Sequence, residues 1–271
     1  MLAFIHIKAC VDSDIKNTNP FYMSESTQTQ AFGAYFQCYR SPMATYKCLE
    51  SFRRHYPTST IVLLSDNGYN YAKMAEHFGC IYIHDYENKH LCTKLEGNYI
   101  QNVYTLVENI KKAIQLIPEE YVMWLEDDVS INHPITDTFR YDINGFCPNV
   151  YSRGMVEGLR QTYPLDGETY RWCGHGGSVF HKANLLTYIG NTSILDDVLV
   201  NWVKYNLTES YGICHDFLFS LLVNLQQGTI GPYEGHADGY HGLDPSIKIQ
   251  HQYKTWYNTP LPAELVHLVE Q

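Results

Sequence analysis

The chain predicts an α/β fold in which helices cover both faces of a mostly parallel central sheet. Three observations lead there. Short apolar runs alternate four times with helical stripes between positions 34 and 125, the mark of strands buried from both sides. Apolar residues make up 45% and charged residues 18%, so enough surface can be buried to offset the entropy of ordering. A length of 271 residues suits one large α/β domain or two small ones.

The elements follow in order. A short strand is expected at Leu2–Ala9, then a polar loop from Asp12 to Gln30, rich in Ser, Thr, Asn and Gln. Ala34–Tyr39 reads as a strand. Met43, Tyr46, Leu49 and Phe52 recur at helical spacing, and Pro57 ends that helix. Ile61–Leu64 is a buried strand that closes in the turn Ser65-Asp66-Asn67-Gly68. Tyr71–Phe78 reads as a short helix, with Gly79 able to take the left-handed cap, and Cys80–His84 as a third strand. Val103, Leu106, Val107, Ile110, Ile114 and Ile117 line one face of a longer helix, with Pro118 just beyond. Tyr121–Leu125 is the fourth strand and runs into Glu126-Asp127-Asp128. Beyond about residue 131 the pattern is less regular, and this stretch reads as the second half of the same unit, so that 1–271 form one domain.

Several classes are excluded. No apolar run approaches the ~20 residues of a membrane helix, and the N-terminus lacks a basic stretch and cleavage signal. The eight cysteines show no C-x-x-C pair, which suits reduced thiols acting as small hydrophobes. A cytoplasmic protein without a membrane span is expected, and the sequons at Asn191 and Asn206 then carry little meaning. Residues 1–118 hold 11 Lys+Arg against 10 Asp+Glu, whereas residues 119–271 hold 8 against 19. Nucleic acid needs a basic footprint and is not an expected partner. The acidic half suits divalent cations and uncharged hydroxyl-bearing ligands, or is a solvated surface.

In open α/β sheets ligands bind beyond the carboxyl ends of the strands. That rule selects Tyr39-Arg40-Ser41-Pro42, Ser65–Gly68 and Glu126–Asp128. On an extended backbone Glu126 and Asp128 face one way and Asp127 the other. Two such carboxylates clamp a hard cation, Mn²⁺ or Mg²⁺, that bridges a diphosphate; an acidic turn that keeps the strand end solvated is the alternative. In Trp172-Cys-Gly-His-Gly-Gly-Ser-Val-Phe180, Gly176 and Gly177 permit close backbone approach to a ligand and Trp172 offers an apolar face for stacking, unless the segment is a buried bend with a core Trp. Neither G-x-x-x-x-G-K-[ST] nor G-x-G-x-x-G occurs, which removes phosphate-loop and dinucleotide readings. His215-Asp216 precedes the apolar stretch Phe217–Leu225, where Asp216 suits an N-cap worth ~1 kcal/mol; a carboxylate there can also accept a proton.

Tyr35-Phe-Gln-Cys-Tyr-Arg-Ser-Pro42, Tyr46-Lys-Cys-Leu-Glu-Ser-Phe-Arg-Arg-His-Tyr-Pro57 and Ile61-Val-Leu-Leu-Ser-Asp-Asn-Gly68 together resemble the opening of GT-A-fold glycosyltransferases. Met123-Trp-Leu-Glu-Asp-Asp-Val129 resembles their Asp-x-Asp motif, in the Glu-Asp-Asp form of some N-acetylglucosaminyltransferases. The match runs over about residues 32–130, and more loosely over Gly174–Tyr233. The resemblance implies a GT-A fold, with a nucleotide-sugar-binding half at about 1–130 and an acceptor-binding half at about 131–271. It implies a metal-dependent glycosyltransferase that moves a hexosyl or pentosyl group from a nucleotide-diphosphate sugar, a UDP-sugar first, to a glycan or glycoprotein hydroxyl. Tyr39, Arg40, Asp66, Glu126, Asp127 and Asp128 would then bind the nucleotide sugar, and Trp172, Gly176 and Gly177 the acceptor or sugar. Asp128 would ligate the metal with a late histidine, His251 or else His241, each of which is otherwise a structural residue. Asp216 would be the base of an inverting reaction, although His215 stands where such members carry Glu. A non-catalytic glycan-binding protein of the same fold and a metal-dependent phosphoesterase are the alternatives.

Overall fold

The computed structural model describes residues 31–86, 99–146, 158–163, 165, 171–206, 215–238, 242–251 and 253–270. The expected strand at Leu2–Ala9, the loop Asp12–Gln30 and the candidate ligand His241 lie outside them.

The front of the chain follows its periodicity. β1 (Phe32–Cys38), β2 (Ile61–Asp66), β3 (Ile81–Asp85) and β4 (Tyr121–Leu125) alternate with α1 (Pro42–His55), α2 (Ala72–His77) and α3 (Tyr99–Gln115). Strand residues divide by parity, because successive side chains leave opposite faces. Tyr35, Val62, Leu64, Val122 and Trp124 pack on the stripe of α3, and Ala34, Phe36, Leu63, Met123 and Leu125 on α1 and α2. A run that is apolar at every position is what a sheet covered on both faces requires. Gly79 takes φ +62° after α2, as its expected left-handed cap demands.

The described strands form a seven-stranded sheet in the order β3-β2-β1-β4-β7-β6-β8 and a three-stranded sheet in the order β5-β10-β9. Here β5 is Ser130–Ile131, β6 Ile143–Asn144, β7 Val179–His181, β8 Ile230–Gly231, β9 His236–Asp238 and β10 Ile249–His251. The β3-β2-β1-β4 block is parallel throughout. β7 runs antiparallel to both its neighbours, β4 and β6, and β6 runs parallel to β8. The sheet is therefore α/β and mostly parallel, as expected. α4 (Lys182–Gly190), α5 (Thr192–Asn206) and α6 (His215–Leu225) thicken the layer on the α3 side. Among the described residues no helix is long and apolar enough to cross a membrane. Cys38, Cys48, Cys80 and Cys173 are free thiols; the other four lie outside the described residues.

One boundary differs from the sequence pattern. α6 starts at His215, so Asp216 stands inside the first turn and not before it. Its Oδ1 accepts from the Phe217 N–H at 2.6 Å, and a carboxylate there meets the positive end of the helix dipole.

Candidate active site at the strand ends

The carboxyl ends of β1, β2 and β4 open onto a cleft lined by Gln37, Cys38, Tyr39, Asp66, Trp124, Glu126, Asp127, His215 and Tyr257. The β1 and β2 ends are tied together, since the Tyr69 N–H donates to the Tyr39 carbonyl at 3.0 Å. Gln37 Nε2 donates to Asp66 Oδ2 at 3.1 Å, holding that buried carboxylate at the cleft wall. Arg40 is exposed, with its guanidinium 4.8 Å from the centre of the Tyr39 ring.

After β4 the backbone does not continue extended; the Val129 N–H closes a turn onto the Glu126 carbonyl at 3.0 Å. Within that turn the three acids separate. Asp127 Oδ1 accepts from Thr45 Oγ1 on α1 at 3.1 Å. Burial, with the nearby Asp128 and Glu126 charges adding to it, raises the Asp127 carboxyl to about 7 despite the Thr45 bond. Glu126 and Asp128 instead meet His251 at the end of β10. His251 Nε2 lies 3.2 Å from Glu126 Oε2 and 3.5 Å from Asp128 Oδ1. Glu126 Oε1 is also 3.3 Å from His215 Nε2, and Lys254 Nζ is 3.5 Å from Asp128 Oδ2. Burial would raise the Glu126 carboxyl, but its bonds to His215 and His251 hold it well below the usual range. Burial would lower the His251 ring, and Asp128, Asp238 and Glu126 together outweigh it, leaving the ring well above its ordinary value.

One ligand atom from each of Glu126, Asp128 and His251 lies within 4.8 Å of the others. Asp128 Oδ1 is buried and makes no hydrogen bond among the described residues, a costly arrangement for a carboxylate oxygen that a cation would relieve. Two carboxylates and an imidazole suit Mn²⁺, with its tolerance for nitrogen, and also Mg²⁺. The residues present therefore fit the ion that the acidic motif calls for.

The segment 174–177 packs against Asp238, His251 and His236 and is not among the cleft-lining residues. A Cβ on Gly176 would fall 2.1 Å from His251 Cδ2, so the close approach this glycine permits is that of the His251 ring. Gly177 has φ +82°, and its N–H donates to the Trp124 carbonyl at 2.7 Å. His236 accepts from the Phe146 N–H at Nδ1, 2.7 Å, which leaves Nε2 to donate to the Gly176 carbonyl at 2.9 Å. His175 is buried among Trp124, Phe180, His215 and Phe219, and neither ring nitrogen has a hydrogen bond among the described residues. Burial, then the neighbouring His215, drives its pKa well down, so it is a neutral ring.

Tyr39, Asp66, Glu126 and Asp127 thus share one cleft, and Asp128 and His251 join it through Glu126. Trp172 packs near Gly174, 3.4 Å from where its Cβ would be, and neither Trp172 nor Asp216 is among the lining residues. Of the pair His215-Asp216 it is His215 that faces the cleft, stacked on Trp124 at 4.9 Å and 19°. Sequence reasoning passed over Gln37, Tyr257 and Asp238. The first lies in the quoted β1 segment, and an inward position at a strand end was the signal available; Tyr257 and Asp238 belong to no motif.

No protein-family model matches the chain, and no curated protein matches it. Among solved structures 123 chains match. A galactosyltransferase, LgtC, in complex with donor and acceptor sugar analogs, is 13% identical over 87% of this chain and 99% of its own, with a TM-score of 0.49. The apo-form glycosyltransferase GlyE of Streptococcus pneumoniae TIGR4 is 16% identical over 83% of this chain and 54% of its own, with a TM-score of 0.44.

Proposed function

We propose that this chain is a metal-dependent glycosyltransferase that moves a sugar from a nucleotide-diphosphate sugar, a UDP-sugar first, to a hydroxyl of a glycan or glycoprotein. The observation that carries this reading is the meeting of Glu126, Asp128 and His251 at the mouth of a parallel sheet, beside a cleft where such sheets bind nucleotides. The resemblance of the earlier segments Tyr35–Pro42, Tyr46–Pro57 and Ile61–Gly68 supports it from other residues.

Glu126, Asp128 and His251 would hold Mn²⁺ or Mg²⁺. When bound, such an ion neutralises charge on the departing diphosphate. Tyr39, Arg40 and Asp66 receive the base and ribose, with Asp127 beside them. Trp172, Gly176 and Gly177 would bear on the acceptor from behind the lining residues, Gly176 through the His251 ring that it admits. The acceptor oxygen attacks the anomeric carbon and the bond to the diphosphate breaks, its electron pair leaving with the diphosphate. For the configuration to invert, Asp216 has to reach the acceptor hydroxyl from the first turn of α6, beside the His215 that lines the cleft, and take its proton. His215, which lies between Glu126 and the aromatic wall of Trp124, orients Glu126.

The test is transfer from a panel of UDP-sugars to glycan acceptors, with Mn²⁺, with Mg²⁺ and with EDTA. Transfer that EDTA abolishes and Mn²⁺ restores is expected; full transfer in chelator overturns the metal role. Sugar binding without turnover points to a glycan-binding protein. Phosphate release that ignores acceptor points to a phosphoesterase. Asp216→Asn keeps the side chain's shape while removing its proton affinity, so transfer should fall ~10²–10⁴-fold with donor affinity unchanged. Unchanged transfer in that variant would indicate a retaining course, which needs no such base.

A further inference from the structure

The geometry points to Asp238 as the residue that positions His251 for metal binding, by receiving the Nδ1 proton and turning Nε2 toward Glu126 and Asp128. This inference rests on the metal-dependent reading above and adds a residue that no motif marked.

Register sets the pair. β9 and β10 are parallel, and His251 is paired with Asp238 across them, so their side chains stand abreast on one face of the small sheet. His251 Nδ1 lies 3.2 Å from Asp238 Oδ1, and each side chain is only 8% exposed. The approach is off the line of a good hydrogen bond, and neither atom has another hydrogen-bond partner among the described residues. A buried donor and a buried acceptor with no other outlet have every energetic reason to close on each other.

Two glycines keep the pair in place. A Cβ on Gly174 would lie 2.7 Å from Asp238 Oδ2, and one on Gly176 would overlap the His251 ring. The 174–177 backbone therefore presses both partners from one side. Asp238 is not a member of the ligand cluster, which comprises Glu126, Asp128 and His251. Its place is behind the imidazole. A carboxylate there fixes which nitrogen carries the proton and how the ring is aimed, and strengthens the other nitrogen as a ligand.

The experiment uses the full chain with Mn²⁺, alone and with UDP, reading free Mn²⁺ by electron paramagnetic resonance. It is paired with ¹H–¹⁵N spectra of histidine ring N–H groups in the metal-free protein. Asp238→Ala should weaken Mn²⁺ binding about 10–100-fold and abolish the slowly exchanging Nδ1 proton of His251, assigned by its loss in His251→Asn. Asp238→Asn keeps an acceptor oxygen without the charge. It should retain that proton and lose less affinity than the alanine variant. The Asn variant also serves if the alanine variant fails to fold, because loss of the proton there overturns the proposal. Mn²⁺ uptake by the wild type that is unchanged in Asp238→Ala overturns this proposal alone. No uptake by the wild type, with or without UDP, overturns the metal reading and the proposal together.

Discussion

The strands before residue 126 and those after it are built on different terms. β1, β2 and β4 are five to seven residues long and buried along nearly their whole length. β5 to β10 have two or three residues each, too few for ladder bonds to hold unaided. Side chains join them instead. Asn144 accepts from the N–H groups of Arg140 and Tyr141 and donates to the carbonyls of Tyr141 and Val179. Asp142 collects Thr229, Tyr188 and Asn184, and His236 bridges Phe146 to Gly176. The front is an apolar frame that delivers carboxylates, and the back is a polar network that delivers histidines. The candidate site lies where the two meet, so function should demand both while stability should respond to each differently.

The largest expected effect comes from cutting the seam on either side. Under the proposed metal-dependent transfer, Asp128→Ala and His251→Ala should each lower transfer by on the order of 10³-fold, the several kcal/mol that a bound cation would supply. A His251 variant with normal kcat/KM would make the site a property of the front alone. In the frame, Phe36→Ala should cost about 3–5 kcal/mol in urea unfolding, because the fully buried ring leaves a cavity that a packed sheet cannot fill.

In the network, His236 makes a pH prediction. Its burial, with His251 nearby, lowers its pKa to about 4, against ~6.5 in the unfolded chain. The folded state thus binds this proton more weakly. The contribution is complete above about pH 6.5 and is lost as pH falls toward 4, by up to about 3 kcal/mol. Stability measured from pH 7 to 4 should slope more steeply in the wild type than in His236→Gln; parallel curves would refute the assignment. The smallest effect is Asn144→Ala, about 1–3 kcal/mol from stranded buried backbone groups. If Asn144→Ala proved costlier than Phe36→Ala, the division into apolar frame and polar network would fail.

The frame was legible because its signals are local. Tyr121–Leu125 was expected as a strand with those bounds, and α3 from one stripe, since a side chain's face is settled by neighbours two to four positions away. The pairing of Glu126 with Asp128 was legible too, though for another reason than the one that holds. An extended backbone was expected, whereas the chain turns at Val129 and the two carboxylates meet across His251. The back half gave little purchase, because strands of two or three residues have no period to read. Asp216 fell one position inside its helix because the apolar stripe marks where a helix packs and not where its first turn begins.

Residue order was enough to say that the strands of the frame are buried on both faces and that three acids follow the fourth of them, since hydrophobic periodicity acts within a few residues. It was not enough to bring His251 to Glu126 and Asp128, to set Asp238 against it, or to put His215 rather than Asp216 on the cleft. Glu126 and His251 are 125 positions apart, and their 3.2 Å separation depends on β10 docking on β5 and on a glycine bend leaving room for an imidazole. Such a distance is a property of how the layers close on one another, and no stretch of sequence short enough to carry a pattern contains it.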